Sequence, residues 1–95
     1  MTEDIQRKVL SNNIEIAYTD TGEKNKSTIL FIHGLANYHA VWHWNISTLQ
    51  QHVRCIAIDL PGNGFSSRDQ KIQYTIDFYV DTVIDFIKEM KLTHV

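Results

Sequence analysis

The sequence predicts an α/β fold in which an antiparallel hairpin leads into a parallel sheet with flanking helices. Three features predict it: an alternating apolar segment before residue 20, two continuous apolar runs on either side of an amphipathic helix, and a longer amphipathic helix near the C-terminus. Apolar runs separated by a helical pattern are typical of a βαβ unit, whose strands are parallel and covered on both faces. A chain of 95 residues suffices for one modest domain or part of one.

The first element is a hairpin over residues 7–20. The segment reads RKVLS, a turn at Asn12-Asn13, and IEIAYTD, in which apolar side chains alternate with others. The polar stretch GEKNKS at 22–27 then predicts a loop.

A βαβ unit follows. Residues 28–32, TILFI, form a continuous apolar run that ends at His33, as expected of a buried strand. An amphipathic helix is predicted by the apolar positions Trp42, Ile46, Leu49 and Val53. Residues 53–58, VRCIAI, form the second strand, which a turn at 61–64 ends.

A long surface helix is predicted over residues 75–92. Its apolar stripe consists of Ile76, Val80, Val83, Ile87 and Met90. Carboxylates repeat every four residues beside this stripe, at Asp77, Asp81, Asp85 and Glu89. A row of like charges on one helix face is usually solvated, so no site is assigned to it. Residues 92–95 are expected to begin another strand.

Composition and motifs exclude several partners. The formal net charge is -2 and lysine and arginine do not cluster, so neither nucleic acid nor a membrane is predicted as a partner. Without a signal peptide or an apolar run of ~18 residues, the cytoplasm is the predicted location. Cys55 is expected to be a buried thiol. His39 and His43 have the spacing of zinc ligands, but Ala40 replaces the usual Glu and no third ligand is evident, so no cofactor or metal is predicted.

The loop after the strand at 28–32 is the first candidate site. In open α/β sheets, ligands bind outside the carboxyl ends of the parallel strands. His33-Gly34 followed by small residues suits an oxyanion hole, with Gly34 permitting the turn and the Leu35 N–H donating to a carbonyl oxygen that gains negative charge. The alternative is a simple strand-ending turn in which His33 hydrogen-bonds neighbouring backbone.

The stretch DLPGNGFSS at 59–67 places a second sharp turn beside the first loop. A strand ending in His-Gly, a helix containing Trp and the pattern Asp-x-Pro-Gly-x-Gly-x-Ser together resemble the α/β-hydrolase superfamily. The resemblance runs from about Ile14 to Val95 and covers only the N-terminal part of the family's domain. Residues 1–95 are therefore interpreted as a partial α/β-hydrolase domain.

The resemblance implies a limited set of site residues. Leu35 matches the position whose backbone N–H contributes to the oxyanion hole, with His33 and Gly34 as its scaffold and Ala36 and Asn37 at the pocket mouth. His33 is not interpreted as the catalytic base, because in this fold the nucleophile, acid and histidine come later, in that order. All three are expected to be missing from residues 1–95.

No nucleophile is predicted within the chain. The elbow motif G-x-S-x-G is absent, and the nearest match, GFSSR at 64–68, lacks the second glycine, so Ser66 is expected to have a turn or capping role. The resemblance implies the N-terminal segment of a serine-type, esterase-like hydrolase for a small-molecule acyl substrate, inactive by itself. An aspartate nucleophile is disfavoured, because the epoxide hydrolases and haloalkane dehalogenases of this superfamily usually have proline at the position of Ala36.

A non-catalytic interaction module is the alternative. The fold that the sequence resembles places the strand at 53–58 between the hairpin and the strand at 28–33, which leaves the latter with an open apolar edge. Such an edge favours pairing with another chain, so self-association through the exposed edge strand is expected.

Overall fold

The computed structural model describes residues 4–22 and 27–95, which form a four-stranded mixed sheet with helices. The elements are β1 (Gln6–Val9), β2 (Glu15–Asp20), β3 (Thr28–Ile32), a 3-10 turn (His39–Trp42), α1 (His43–Leu49), β4 (Arg54–Ile58) and α2 (Ile76–Glu89). The strand order is β1-β2-β4-β3, in which only β3 and β4 are parallel. The predicted α/β class and the position of β4 between the hairpin and β3 are confirmed. The predicted loop at 22–27 lies largely outside the described residues.

The hairpin turns where the sequence predicted. Lys8 of β1 stands opposite Ile16 of β2, and the Leu10 N–H donates to the Ile14 carbonyl at 2.8 Å. Asn13 has a φ of 68°, a left-handed conformation that asparagine tolerates better than most residues. The predicted Asn-Asn turn therefore has a direct conformational reason.

The centre of the sheet is β4, which is buried on both faces. Ile56 and Ile58 pack in the cluster that contains Phe86 of α2, whereas Cys55 and Ala57 pack in the cluster on the α1 side. This division follows from the alternation of side chains along a strand. Cys55 is buried, as predicted, and burial raises the pKa of its thiol.

The helix α2 is rotated relative to the predicted stripe. Ile76 and Val80 are 77% and 50% exposed, and Phe86 and Thr82 are instead the buried positions. The ring of Phe86 contacts that of Tyr18 on β2 edge to face, with centroids 5.4 Å apart. The first half of the predicted stripe is therefore wrong, because the helix face that carries Thr82 and Phe86 meets the sheet instead.

Two further features concern the end of the chain and the membrane. Residues 92–95 do not form a strand, although the Thr28 N–H donates to the His94 carbonyl at 3.0 Å. None of the helices in the described part of the chain has the length and hydrophobicity needed to cross a bilayer.

Candidate active site

Two loops meet beyond the carboxyl ends of β3 and β4. We define the first loop as residues 34–38, which connect β3 to the 3-10 turn, and the second loop as residues 59–68, which follow β4. Their juxtaposition is a consequence of the parallel pairing of β3 and β4, since the carboxyl ends of parallel neighbours lie at one edge of the sheet.

His33 is a scaffold residue in this arrangement. Its side chain is 5% exposed, its Nδ1–H donates to the Gly34 carbonyl at 2.7 Å, and its Nε2 accepts from the Leu60 N–H at 3.0 Å. One ring nitrogen must therefore carry the proton while the other accepts, which defines a neutral imidazole. Because the backbone occupies both nitrogens, His33 has none left to take a proton from a nucleophile.

A second histidine, His39, forms a buried pair with Asp59. Both side chains are buried, at 3% and 0% exposure. Asp59 Oδ1 accepts from the backbone N–H of His39 at 2.6 Å and from its Nδ1–H at 2.8 Å, and Oδ2 accepts from the Phe65 N–H at 2.9 Å. One carboxylate thus connects the first loop to the second.

In the sequence, the only indication of this pair is the aspartate of the second motif. The spacing of His39 and His43 suggests a zinc ligand pair and not a partner for Asp59. The described residues contain no group of three or more side chains suited to hold a metal ion.

The glycine that the site requires is Gly64, not Gly34. A Cβ at Gly64 would lie 2.3 Å from Asp59 Oδ2, and its φ of +51° is left-handed. A Cβ at Gly34 would meet nothing within 4 Å, and its φ is not positive. The residue with a left-handed backbone in the first loop is Ala36, with a φ of 56°. The expectation that Gly34 permits the turn is therefore wrong.

Leu35 lies in a turn at the rim of an apolar groove. Its side chain is fully exposed, and no hydrogen bond involves its N–H within residues 4–22 and 27–95. The groove has a volume of about 480 Å³ and runs between the end of β3 and α2. Its walls include His33, Gly34, Leu35, Ile32, Val80 and Ile84.

The other two predicted site residues line a different depression. Ala36 and Asn37 face Phe65 and Arg68 of the second loop. The structure therefore brings all five predicted residues to one end of the sheet but divides them between two depressions. Within the described residues, the Asn37 side chain accepts from the Tyr38 N–H at 3.0 Å and so caps its own loop.

Ser66 has a structural role, as predicted. It is buried, its Oγ accepts from the Ala17 N–H of β2 at 2.8 Å, and its hydroxyl donates to the Asp59 carbonyl. Ser67 Oγ likewise accepts from the Glu15 N–H at 2.8 Å. Both serines thus satisfy backbone N–H groups of β2, and the buried Ser66 hydroxyl is used by backbone groups on both sides.

Comparison with known proteins identifies the family. A family model described as the alpha/beta hydrolase fold matches residues 27–94. The chain belongs to this family. Epoxide hydrolase 3 of Mus musculus is 29% identical over 80 residues, which are 83% of this chain and 22% of that protein. A monoacylglycerol lipase of Xenopus laevis is 25% identical over 81 residues, which are 84% of this chain and 24% of the lipase.

Solved structures agree with this assignment. An α/β-hydrolase described among epoxide hydrolases from metagenomes of hot environments superposes with a TM-score of 0.88 at 28% identity, covering 96% of this chain and 31% of its own. The chain thus spans about a fifth to a third of the length of the proteins that it matches. The observed sheet corresponds to the N-terminal part of the hydrolase fold, as predicted.

Proposed function

We propose that this α/β-hydrolase chain is the N-terminal segment of a serine-type hydrolase for a small-molecule acyl substrate and is inactive by itself. The bond cleaved is an ester, thioester, lactone or amide, and the Leu35 N–H is one of the oxyanion donors. The observation that carries the proposal is that this N–H has no acceptor among the described residues and belongs to a residue that lines an apolar groove.

The chemistry follows from that position. A donor already in place beside an apolar groove stabilises an oxyanion without the reorganisation that water would need. Most of the side chains that line the groove are aliphatic, which suits the uncharged part of an acyl substrate. His33 and Ser66 are unsuited to be base or nucleophile because backbone groups occupy their polar atoms.

The first test is the coding sequence after codon 95. The proposal requires an apolar strand and then G-x-S-x-G or a close variant. A longer reading frame without either would contradict the proposal.

The second test replaces the donor in that longer protein. Leu35→Pro removes the N–H and is expected to lower kcat by roughly 100- to 1000-fold. Leu35→Ala keeps the N–H and measures what the exposed side chain contributes. Equal thermal unfolding of both variants would show that the loss is chemical, and an unchanged kcat in Leu35→Pro would contradict the oxyanion role.

The purified 95-residue chain should not hydrolyse p-nitrophenyl esters. Turnover that copurifies with the chain and persists in Ser66→Ala would place a nucleophile elsewhere within these residues and contradict the proposed inactivity.

Epoxide hydrolysis is a second candidate, which the names of several relatives favour. Ala36 stands where such enzymes usually have proline, which favours acyl chemistry instead. The nucleophile decides between the two: a serine in the elbow supports acyl transfer, and an aspartate supports the epoxide reaction.

A non-catalytic role is also favoured by one observation, the largely open outer edge of β3. Within the described residues, β3 pairs with no strand other than β4, the Thr28 N–H at the start of its outer edge donates to the His94 carbonyl, and Ile32 at the end of that edge lines the apolar groove. A second copy of this chain is the occupant we propose for that edge in the isolated protein.

A further inference from the structure

The first loop lies between two buried histidines that are anchored to consecutive residues. His33, before the loop, accepts from the Leu60 N–H at 3.0 Å. His39, after it, donates twice to Asp59, at 2.6 and 2.8 Å. Both ends of the loop are therefore fixed to the same point, the first two residues after β4.

We propose that His33, His39 and Asp59 are positioning residues that hold the two ends of the first loop and so fix the direction of the Leu35 N–H. This inference deepens the proposed function and rests on it for the role of that N–H. The order of the first loop can be measured without a substrate.

At the first end, the imidazole of His33 acts as a double link. Its Nδ1–H holds the Gly34 carbonyl at 2.7 Å, which orients the peptide unit that contains the Leu35 nitrogen. Its Nε2 holds the backbone of the second loop. The ring thus sets the rotation of the peptide that presents the N–H, and only the neutral form with the proton on Nδ1 can make both bonds.

At the other end of the loop, both carboxylate oxygens of Asp59 accept hydrogen bonds. Oδ1 receives both donors of His39, and Oδ2 receives the Phe65 N–H at 2.9 Å. With 0% exposure, the side chain cannot exchange these donors for water. The absence of a side chain at Gly64 leaves room for this carboxylate.

The interior of the first loop supplies little order of its own. Leu35 is fully exposed and packs against nothing that would fix its peptide. Among hydrogen bonds of the described residues, the loop itself contributes that from the Tyr38 N–H to Asn37 and that from Val41 N–H to the Tyr38 carbonyl, both after the turn. The order at Leu35 must therefore come from the two anchored ends.

The test is backbone order measured by 15N relaxation on the 95-residue chain. In the wild type, the amides of residues 35–38 should have order parameters near 0.85. His33→Leu removes the acceptor for the Leu60 N–H. Asp59→Asn replaces a carboxylate oxygen that accepts a hydrogen bond with an NH2 group that cannot accept one. Both variants should therefore lower the order parameters below about 0.6. His33→Gln, whose amide oxygen can accept from Leu60, should restore the order.

The matched control is Asp81→Asn, the same chemical change at an exposed site on α2, which should leave the loop unchanged. The 15N shifts of His33 should also report a proton on Nδ1. A wild-type loop already below about 0.6, or a loop that stays ordered in a folded His33→Leu or Asp59→Asn chain, would overturn the inference. If both variants fail to fold, His33→Gln and the wild-type measurements decide: an ordered wild-type loop with the Nδ1–H tautomer supports it, and the other tautomer overturns it.

These outcomes are separable from the proposed function. An ordered wild-type loop that both variants loosen, in a protein whose Leu35→Pro variant keeps its kcat, would retain the positioning and reject only the oxyanion role.

Discussion

The fit between Gly64 and the carboxylate of Asp59 decides which glycine of the two loops is indispensable. A methyl group at Gly64 would overlap Asp59 Oδ2 and adopt a left-handed φ, whereas one at Gly34 would point into open space. We expect Gly64→Ala to lower the free energy of unfolding by at least about 2 kcal/mol, and Gly34→Ala to change it by less than about 0.5 kcal/mol.

Urea unfolding of the two variants measures this difference under identical conditions. Because both substitutions add one methyl group to a loop glycine, their comparison removes the effect of alanine on the unfolded chain. Equal losses in both variants would show that the second loop moves aside at little cost and that Asp59 is held less firmly than the structure indicates.

Single residues of the site were predictable only where the sequence carries a local pattern. His33-Gly34 and the 59–67 stretch are recognisable because each follows an apolar strand. The pairing of His39 with Asp59 joins residues 20 positions apart, and no spacing rule connects them. It depends on the parallel pairing of β3 and β4, which brings the two loops together.

At the scale of the elements, an ion pair joins β2 to β4 at the end of the sheet away from the site. Asp20, at the end of β2, accepts from Arg54 Nε at 3.0 Å and from its Nη2 at 2.6 Å. Arg54 begins β4, so this two-point contact joins neighbouring strands. Burial acts to raise the pKa of Asp20, but the Arg54 guanidinium and the Gly22 N–H outweigh it and hold that pKa below its usual value.

The direction of this pKa shift predicts a pH dependence. A carboxyl whose folded pKa is lowered stabilises the fold above its unfolded pKa, near 3.9, and that contribution is lost as the pH falls through the folded pKa. We expect Asp20→Asn to cost about 1.5 to 3 kcal/mol at pH 7 and less at pH 2 to 3. Denaturant unfolding at both pH values measures it.

Asp81→Asn serves as the control for this pH dependence, since Asp81 is exposed on α2. Its stability should follow that of the wild type at both pH values. A cost of Asp20→Asn that is the same at pH 7 and at pH 2 to 3 would mean that the neutral carboxyl binds Arg54 as well as the carboxylate does, contrary to the lowered pKa.

The sequence predicts the type and order of the helices and strands, but not the rotation of α2 about its own axis. The spacing of apolar residues identified α2, whose N-cap Thr75 accepts from the Phe78 N–H at 3.1 Å. It could not decide which side faces the sheet, because Ile76 and Val80 on one side compete with Phe86 on another. The aromatic ring takes the buried position, and the aliphatic pair remains exposed beside the groove.

For the whole molecule, the two edges of the sheet differ in how they resist pairing. The outer strand β1 is short and carries Arg7 and Lys8, charges of the kind that protect edges from association. The strand β3 reads TILFI and carries no charge. The backbone groups of its odd-numbered residues are directed to β4, as the hydrogen bond from the Arg54 N–H to the Ser27 carbonyl indicates. Those of Leu30 and Ile32 are therefore directed to the open side.

This asymmetry predicts self-association of the isolated 95-residue chain through β3 rather than β1. Two copies of β3 can pair antiparallel about a two-fold axis, and a net charge of -2 gives little repulsion against it. Light scattering at micromolar concentration should therefore report dimers or larger species. Ile32→Lys places a charge on that edge at a position that is 41% exposed and should shift the chain towards monomer. Val9→Lys, at a position of β1 that is 52% exposed, should not. A wild-type chain that remains monomeric, or a larger effect of Val9→Lys, would contradict pairing at β3, because the unpaired backbone groups there would then be satisfied by water alone.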